Sequence, residues 1–145
     1  MPSAREILSE KNADMVTVSP DVSVLDATRK MNQHRIGALV AMSGDRVAGI
    51  FTERDVLQRV VGAELEPAEI TVSEVMTRDV FCAPPTTDVD ELSEIMRSQH
   101  VRHIPICNES GELMGMVSIG DVNAMHASHQ QATIHYLNDY IYGRA

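Results

Sequence analysis

The sequence predicts an α/β (α+β) chain built from two copies of one unit, each a small β-sheet with flanking helices. Three observations carry that prediction. The strand-to-helix junction Gly49-Ile50-Phe51-Thr52-Glu53-Arg54-Asp55 returns 66 positions later as Gly115-Met116-Val117-Ser118-Ile119-Gly120-Asp121. A capping-box pattern, Ser3-Ala4-Arg5-Glu6, returns 68 positions on as Thr71-Val72-Ser73-Glu74. Val24, Ala27 and Met31, spaced to share one helix face, return 65 positions on as Val89, Leu92 and Met96.

Taken in order, Ser3 to Glu6 opens a short helix through about Leu8, and Met15 to Val18 reads as a brief strand stopped by Ser19-Pro20. Ser23-Val24-Leu25-Asp26 opens a second helix. Ile36 to Ala41 is too short and too evenly apolar for an amphipathic helix and reads as a buried strand. Ser43-Gly44-Asp45 is turn chemistry, Arg46 to Phe51 the returning strand of a hairpin, and Glu53 to Val61 a helix with Val56, Leu57, Val60 and Val61 as its buried side. Gly62 to Ile70, with Gly62, Pro67 and three glutamates, suits an exposed connector.

The second copy follows the same order. Thr71 opens a helix, Val80-Phe81-Cys82-Ala83 matches the first strand with Pro84-Pro85 as its stop, and Asp88-Val89-Asp90-Glu91 caps a helix. Val101 to Ile106 corresponds to Ile36 to Ala41, and Asn108 to Gly111 is a turn one residue longer than its counterpart. Each unit of about 60 residues is near the lower limit for independent stability, so the two sheets are expected to share a core. From Val122 to Tyr142 the composition stays helix-permissive, and the first copy has no such tail.

Composition narrows the function. With two Phe, three Tyr and no Trp, aromatic stacking of nucleobases has no platform, and a net charge of −9 opposes binding to DNA, RNA or anionic membranes. A small anion remains possible where a few arginines and amides converge, because charge is screened over about 8 Å. Cys82 and Cys107 form no Cys-x-x-Cys pattern, and the N-terminal segment has no signal-like apolar region, which predicts a cytoplasmic chain with reduced thiols. No apolar run approaches a membrane span.

Thr52 with Asp55, and Ser118 with Asp121, place a hydroxyl at a strand end and a carboxylate in the first turn of a helix. Free amides at that end favour an anion, and the carboxylate can accept both hydroxyls of a ribose. The same spacing equally serves an ordinary N-cap. His100 with His103 and His126 with His129 are each three apart; the first pair falls on opposite faces of a strand, and neither has a Cys or Glu cluster to complete a metal site. A Cys107–His103 nucleophile is the one catalytic pairing on offer, against the commoner apolar-strand cysteine, and no hydrolase elbow, phosphate loop or zinc-protease motif accompanies it. The chain is therefore not expected to be an enzyme.

The apolar strand with its Pro stop, the capped helix, Val101-Arg102-His103-Ile104-Pro105-Ile106, the glycine turn and Gly115-x-x-Ser118-x-x-Asp121 together resemble the cystathionine-β-synthase (CBS) domain. The paired copies resemble a Bateman module over residues 3 to 125: repeat 1 at 3–62, a linker at 63–70, repeat 2 at 71–125, and a C-terminal helical extension at 126–145. The resemblance implies two clefts about a pseudo-twofold axis in a stand-alone regulatory sensor for an adenosine-containing ligand: AMP, ADP, ATP, NAD or S-adenosylmethionine. It also implies no catalytic cofactor, a homodimer through helices and an effector protein whose identity stays open.

By that resemblance Asp55 and Asp121 meet ribose, Thr52 and Ser118 support ribose or phosphate, and backbone at Thr17-Val18 and Cys82-Ala83 meets adenine. Ile36, Gly37 and Ala38, with Val101, Arg102, His103 and Pro105, complete the nucleotide-binding set. The copies differ at the phosphate-facing positions: Gly37-Ala38 stands against Arg102-His103, and Glu53-Arg54 against Ile119-Gly120. Two unequal sites follow, with the Asp121 cleft favoured by Arg102 from its own copy and Arg54 from the other; the alternative for Arg54 is an ion pair with Glu53 or Asp55. The competing reading of the whole chain is a nucleotide-independent scaffold that works through its C-terminal helix.

Overall fold

The computed structural model of the chain describes residues 2–11 and 15–142; positions 12–14 of repeat 1 and 143–145 of the extension lie outside them. Helix α1 (Ala4–Lys11) starts where the Ser3 hydroxyl accepts from the Glu6 amide, and runs a turn beyond Leu8. Strand β1 (Thr17–Val18) lies parallel to β2 (Ala38–Ser43), which pairs antiparallel with β3 (Arg46–Thr52). Gly44, at φ +61°, makes the hairpin turn, a conformation in which a side chain is strained. Helix α2 (Val24–His34) is capped by the Ser23 hydroxyl and buries Val24, Ala27 and Met31, as their spacing requires. Its counterpart α5 (Val89–Gln99), capped by Asp88, buries Val89, Leu92 and Met96.

In the second copy β4 (His103–Cys107) and β5 (Leu113–Ser118) form a two-stranded antiparallel sheet. Both hairpins shift register at matching points, Ala41/Met42 and Ile106/Cys107. The strand expected at Val80 to Ala83 does not form. Ala83 alone makes a parallel bridge to Ile106, because the next residues, Pro84 and Pro85, have no amide to donate to a ladder. Helix α3 (Glu53–Asp55) also departs from expectation, running straight into a π-helical segment, Val56–Val61, closed by a bond from the Gly62 amide to the Leu57 carbonyl. That wider turn changes the face presented: Val60 is buried, but Leu57 and Val61 are 66% and 61% exposed.

The first helix of each copy packs on the other copy. α1 lies on β5 and α6 (Ile119–Tyr142), so Ala4 and Ile7 belong to the core of Leu92, Ile104, Ile106 and Val117. α4 (Val72–Val75) lies on β3, so Val72, Val75 and Met76 belong to the core of Val24, Leu39 and Phe51. The helix starts are tied reciprocally: the Ala4 amide donates to Thr87 O and that of Val89 to Pro2 O, while the amides of Val24 and Val72 donate to Ile70 O and Val22 O. Each sheet is thus closed by a helix from the other repeat. The result is two cores linked by exchange, in place of the single shared core expected. Beyond Val122 and Met125, which are buried, α6 runs almost wholly exposed to Tyr142.

Candidate functional site

The two strand-to-helix junctions fold alike because each hydroxyl and carboxylate form a capping box. The Asp55 amide donates to Thr52 Oγ1 (3.3 Å) and the Thr52 amide to Asp55 Oδ2 (2.9 Å). The Asp121 amide donates to Ser118 Oγ (3.1 Å) and the Ser118 amide to Asp121 Oδ2 (2.8 Å). The N-cap use of this spacing is therefore present in both copies. In each copy it engages only Oδ2 of the carboxylate, which leaves Oδ1 outside the cap.

The surroundings of the two carboxylates are unequal. Asp55 is buried, with its Oδ1 3.7 Å from Arg59 Nε, and burial raises its carboxyl despite the opposing Thr52 amide and Arg59 charge. Beside it the β3 edge is already occupied, since Ile50 and Thr77 exchange two backbone bonds of 2.9 and 3.0 Å. Asp121 opens on a cavity of about 360 Å³. Its carboxyl would also be raised by burial, but the Ser118 amide and Lys11 bring it below the ordinary value. Lys11 Nζ lies 3.0 Å from Asp121 Oδ2 and 3.0 Å from the Met116 carbonyl oxygen.

The Asp121 cavity is walled by both repeats. Ile36, Gly37 and Ala38 come from the first, and His103, Ser118 and Asp121 from the second, so six of the expected nucleotide-binding residues meet there. A Cβ at Gly37 would stand 3.0 Å from Glu53 Oε1, the end of a side chain that can give way, and 3.6 Å from His103 Cε1, an ordinary contact. Burial, reinforced by the charges of Lys11 and Arg102, depresses the His103 imidazole against the opposing pull of Asp121 and keeps it neutral near pH 7.

The other expected residues are placed elsewhere. Thr17 and Val18 line a separate depression with Val22, Lys30 and Met42. Thr52 and Asp55 form the first junction; Cys82, Ala83, Val101, Arg102 and Pro105 are not among the residues lining the Asp121 cavity. Arg54 does cross to the second repeat, but its Nη1 donates to the His100 carbonyl at the end of α5. Its alternative as partner of Glu53 or Asp55 is not formed either, as Arg59 holds the Asp55 side. Lys11, Leu8 and Val16 were not anticipated at this site. The signal for Lys11 lay in the capping-box offset, which sets Lys11 against Asp79, a reversal of charge between copies.

Among the described residues no cluster of His, Cys, Asp and Glu could hold a metal; His126 instead faces Asp90 at 3.1 Å. No described helix is long and apolar enough to cross a membrane. Cys107 is buried against Cys82, and burial together with that thiol's hydrogen bond pushes its thiol up to about 12, the opposite of nucleophile activation.

The family profile of the CBS domain matches residues 4–62 and 72–124. A CBS-domain-containing protein from Agrobacterium tumefaciens superposes with a TM-score of 0.80 at 38% identity, covering 86% of this chain and 98% of that one. The mitochondrial CBS domain-containing protein CBSX3 of Arabidopsis thaliana is 35% identical over 85% of this chain. The chain spans 62% of the length of that relative. A CBS domain protein from Pyrobaculum aerophilum, complexed with AMP, shares the fold with a TM-score of 0.74 at 24% identity, covering 82% of this chain and 88% of that one.

Proposed function

The chain belongs to the CBS domain family as a tandem pair, and from that premise we propose that it is a regulatory sensor that binds an adenosine-containing ligand in the Asp121 cleft. The observation that carries this reading is the meeting of the two repeats around one accessible carboxylate. Asp121 offers Oδ1 to a diol, while Ile36, Ala38 and Val16 supply an apolar wall for a base. A cavity of about 360 Å³ lies at the lower end of the range for small-molecule sites, about 300–1,000 Å³. The AMP-bound Pyrobaculum aerophilum protein supports adenosine as the ligand class.

A ligand there touches both repeats and lies beside α1, which also packs on α6. Occupancy would favour whichever arrangement of the repeats fits the ligand better, and the shift is bounded by the difference in affinity between arrangements. The role is binding and reporting, with no covalent step. Asp55, enclosed by Arg59 and the Ile50–Thr77 pairing, is the weaker site. Titration calorimetry with AMP, ADP, ATP, NAD and S-adenosylmethionine tests the reading: binding of at least one is expected, and absence of binding by all at millimolar concentration would refute it.

A second reading is favoured by one feature. Ile134, Leu137 and Ile141 form an exposed apolar stripe at helical spacing on α6, and Leu57 and Val61 add exposed apolar surface on the first repeat. A homodimer through these helices, working as a scaffold for an effector protein, would use them. Under that reading the clefts stay empty and truncation after residue 128 abolishes association, whereas a sensor keeps nucleotide affinity after the same truncation.

A further inference from the structure

We propose that Lys11 is the selectivity residue of the Asp121 cleft, favouring adenosine ligands that carry an anionic group over uncharged nucleosides; this rests on the reading of that cleft as the nucleotide site. The lysine belongs to α1, outside every motif that marks the repeats. Its ammonium nevertheless sits in the cleft, 3.0 Å from Asp121 Oδ2 and 3.0 Å from the carbonyl oxygen of Met116.

The first repeat shows that a lysine is not needed here to complete the fold. Met116 corresponds to Ile50, and the Ile50 carbonyl accepts a backbone bond from the Thr77 amide at 3.0 Å. In the second repeat the same carbonyl position is served by a side chain. At the position matching Lys11 the second repeat has Asp79, an acid that could not compensate a carboxylate. The lysine is therefore particular to the Asp121 cleft.

Lys11 and His103 are the basic residues lining the cavity, and His103 is held neutral by its surroundings. Arg54, the cation expected from the first repeat, is committed to the His100 carbonyl. Phosphate affinity in the cleft thus falls to Lys11, in a chain whose net charge of −9 otherwise repels anions.

The consequence for selectivity follows from competition for one carboxylate. A ribose diol approaching Asp121 meets a charge already compensated by the ammonium. An uncharged nucleoside has to weaken that pair and gives the ammonium nothing in return. A nucleoside monophosphate supplies a substitute anion within reach of a flexible four-carbon side chain, so the ammonium can pass from carboxylate to phosphate while the diol takes its place.

The test compares AMP with adenosine on wild-type protein, Lys11→Met and Lys11→Arg by titration calorimetry. Lys11 is exposed, and a thermal melt confirms that each variant is folded. The expected result is a fall in the ratio of AMP to adenosine affinity by roughly tenfold or more in Lys11→Met, the size of one charge-assisted hydrogen bond. Lys11→Arg should keep most of the preference. Adenosine binding that appears only in Lys11→Met would also support the proposal. An unchanged ratio in Lys11→Met, with both ligands still bound, would overturn the selectivity role while leaving the site intact. Failure of both ligands to bind either protein would overturn the nucleotide reading and the role of Lys11 with it.

Discussion

Gly49 and Gly115 occupy matching places on β3 and β5, yet alanine at the two should have different costs. A Cβ at Gly49 would lie 2.6 Å from the Thr77 carbonyl oxygen and 2.6 Å from Met76 Sδ. The sulfur can swing away, but the carbonyl belongs to a segment held by both Ile50–Thr77 backbone bonds. Relief means overpacking of about 1–3 kcal/mol, with up to about 1 kcal/mol for each bond weakened. Loss of unfolded-state freedom returns about 0.4–1 kcal/mol, which leaves Gly49→Ala destabilised by about 2 kcal/mol.

At Gly115 the close atom is Leu8 Cδ2, 2.7 Å away, the end of a side chain that can change rotamer. Its cost of about 0.5–1.5 kcal/mol is offset almost in full by the same entropy term. Urea denaturation followed by far-UV circular dichroism should place Gly115→Ala within about 1 kcal/mol of wild type. Gly49→Ala should melt about 4–8 °C lower, at about 2–4 °C per kcal/mol for a chain of this size. Equal stabilities, or a larger loss at Gly115, would refute the exchange of helices that puts Thr77 against β3 and Leu8 against β5.

Four further outcomes follow from the same geometry. Asp121 has a depressed carboxyl when folded, so it contributes stability above the ordinary value of 3.8 that is lost as pH falls through the folded value; the deficit of Asp121→Asn should close over that acid range. Asp55 is raised, so wild-type protein should lose stability as pH rises from 3.8 through the folded value, and Asp55→Asn, measured by denaturation across that range, should lack this loss. In native protein iodoacetamide should label Cys82 well before Cys107, which is buried and has its thiol pushed up to about 12; peptide mapping reads the order. Truncation after residue 128 should leave the melting profile of the body intact, since α6 buries only Val122 and Met125, and light scattering on the full and truncated chains tests the proposed dimer, which the truncation should lose.

What could be read from the sequence was local. Ser23, Asp88 and Thr71 cap helices because the hydroxyl or carboxylate and the amide it meets are three residues apart, and Met31 and Met96 are buried because a period of 3.6 leaves them no other face. The repeat itself followed from such matches, whereas the meeting of Ile36 to Ala38 with Ser118 and Asp121 in one cavity is seen only in the folded chain. What stayed hidden depends on the partner. Nothing within Ala4 to Lys11 says that β5, about a hundred residues on, is the surface they cover. The Val80 to Ala83 segment is apolar enough for a strand, and only the missing proline amides limit it to one bridge. Leu57 and Val61 fit an α-helical stripe until the backbone widens into a π-helix. Lys11 was overlooked because long side chains act far from their place in the sequence.

Asp121 and Asp55 occupy matching junctions but unequal surroundings. Calorimetry with AMP on folded Asp121→Ala and Asp55→Ala measures the difference directly. The prediction is a loss of affinity on the order of tenfold or more in Asp121→Ala, with Asp55→Ala close to wild type. Equal losses in the two variants, or a larger loss in Asp55→Ala, would contradict it.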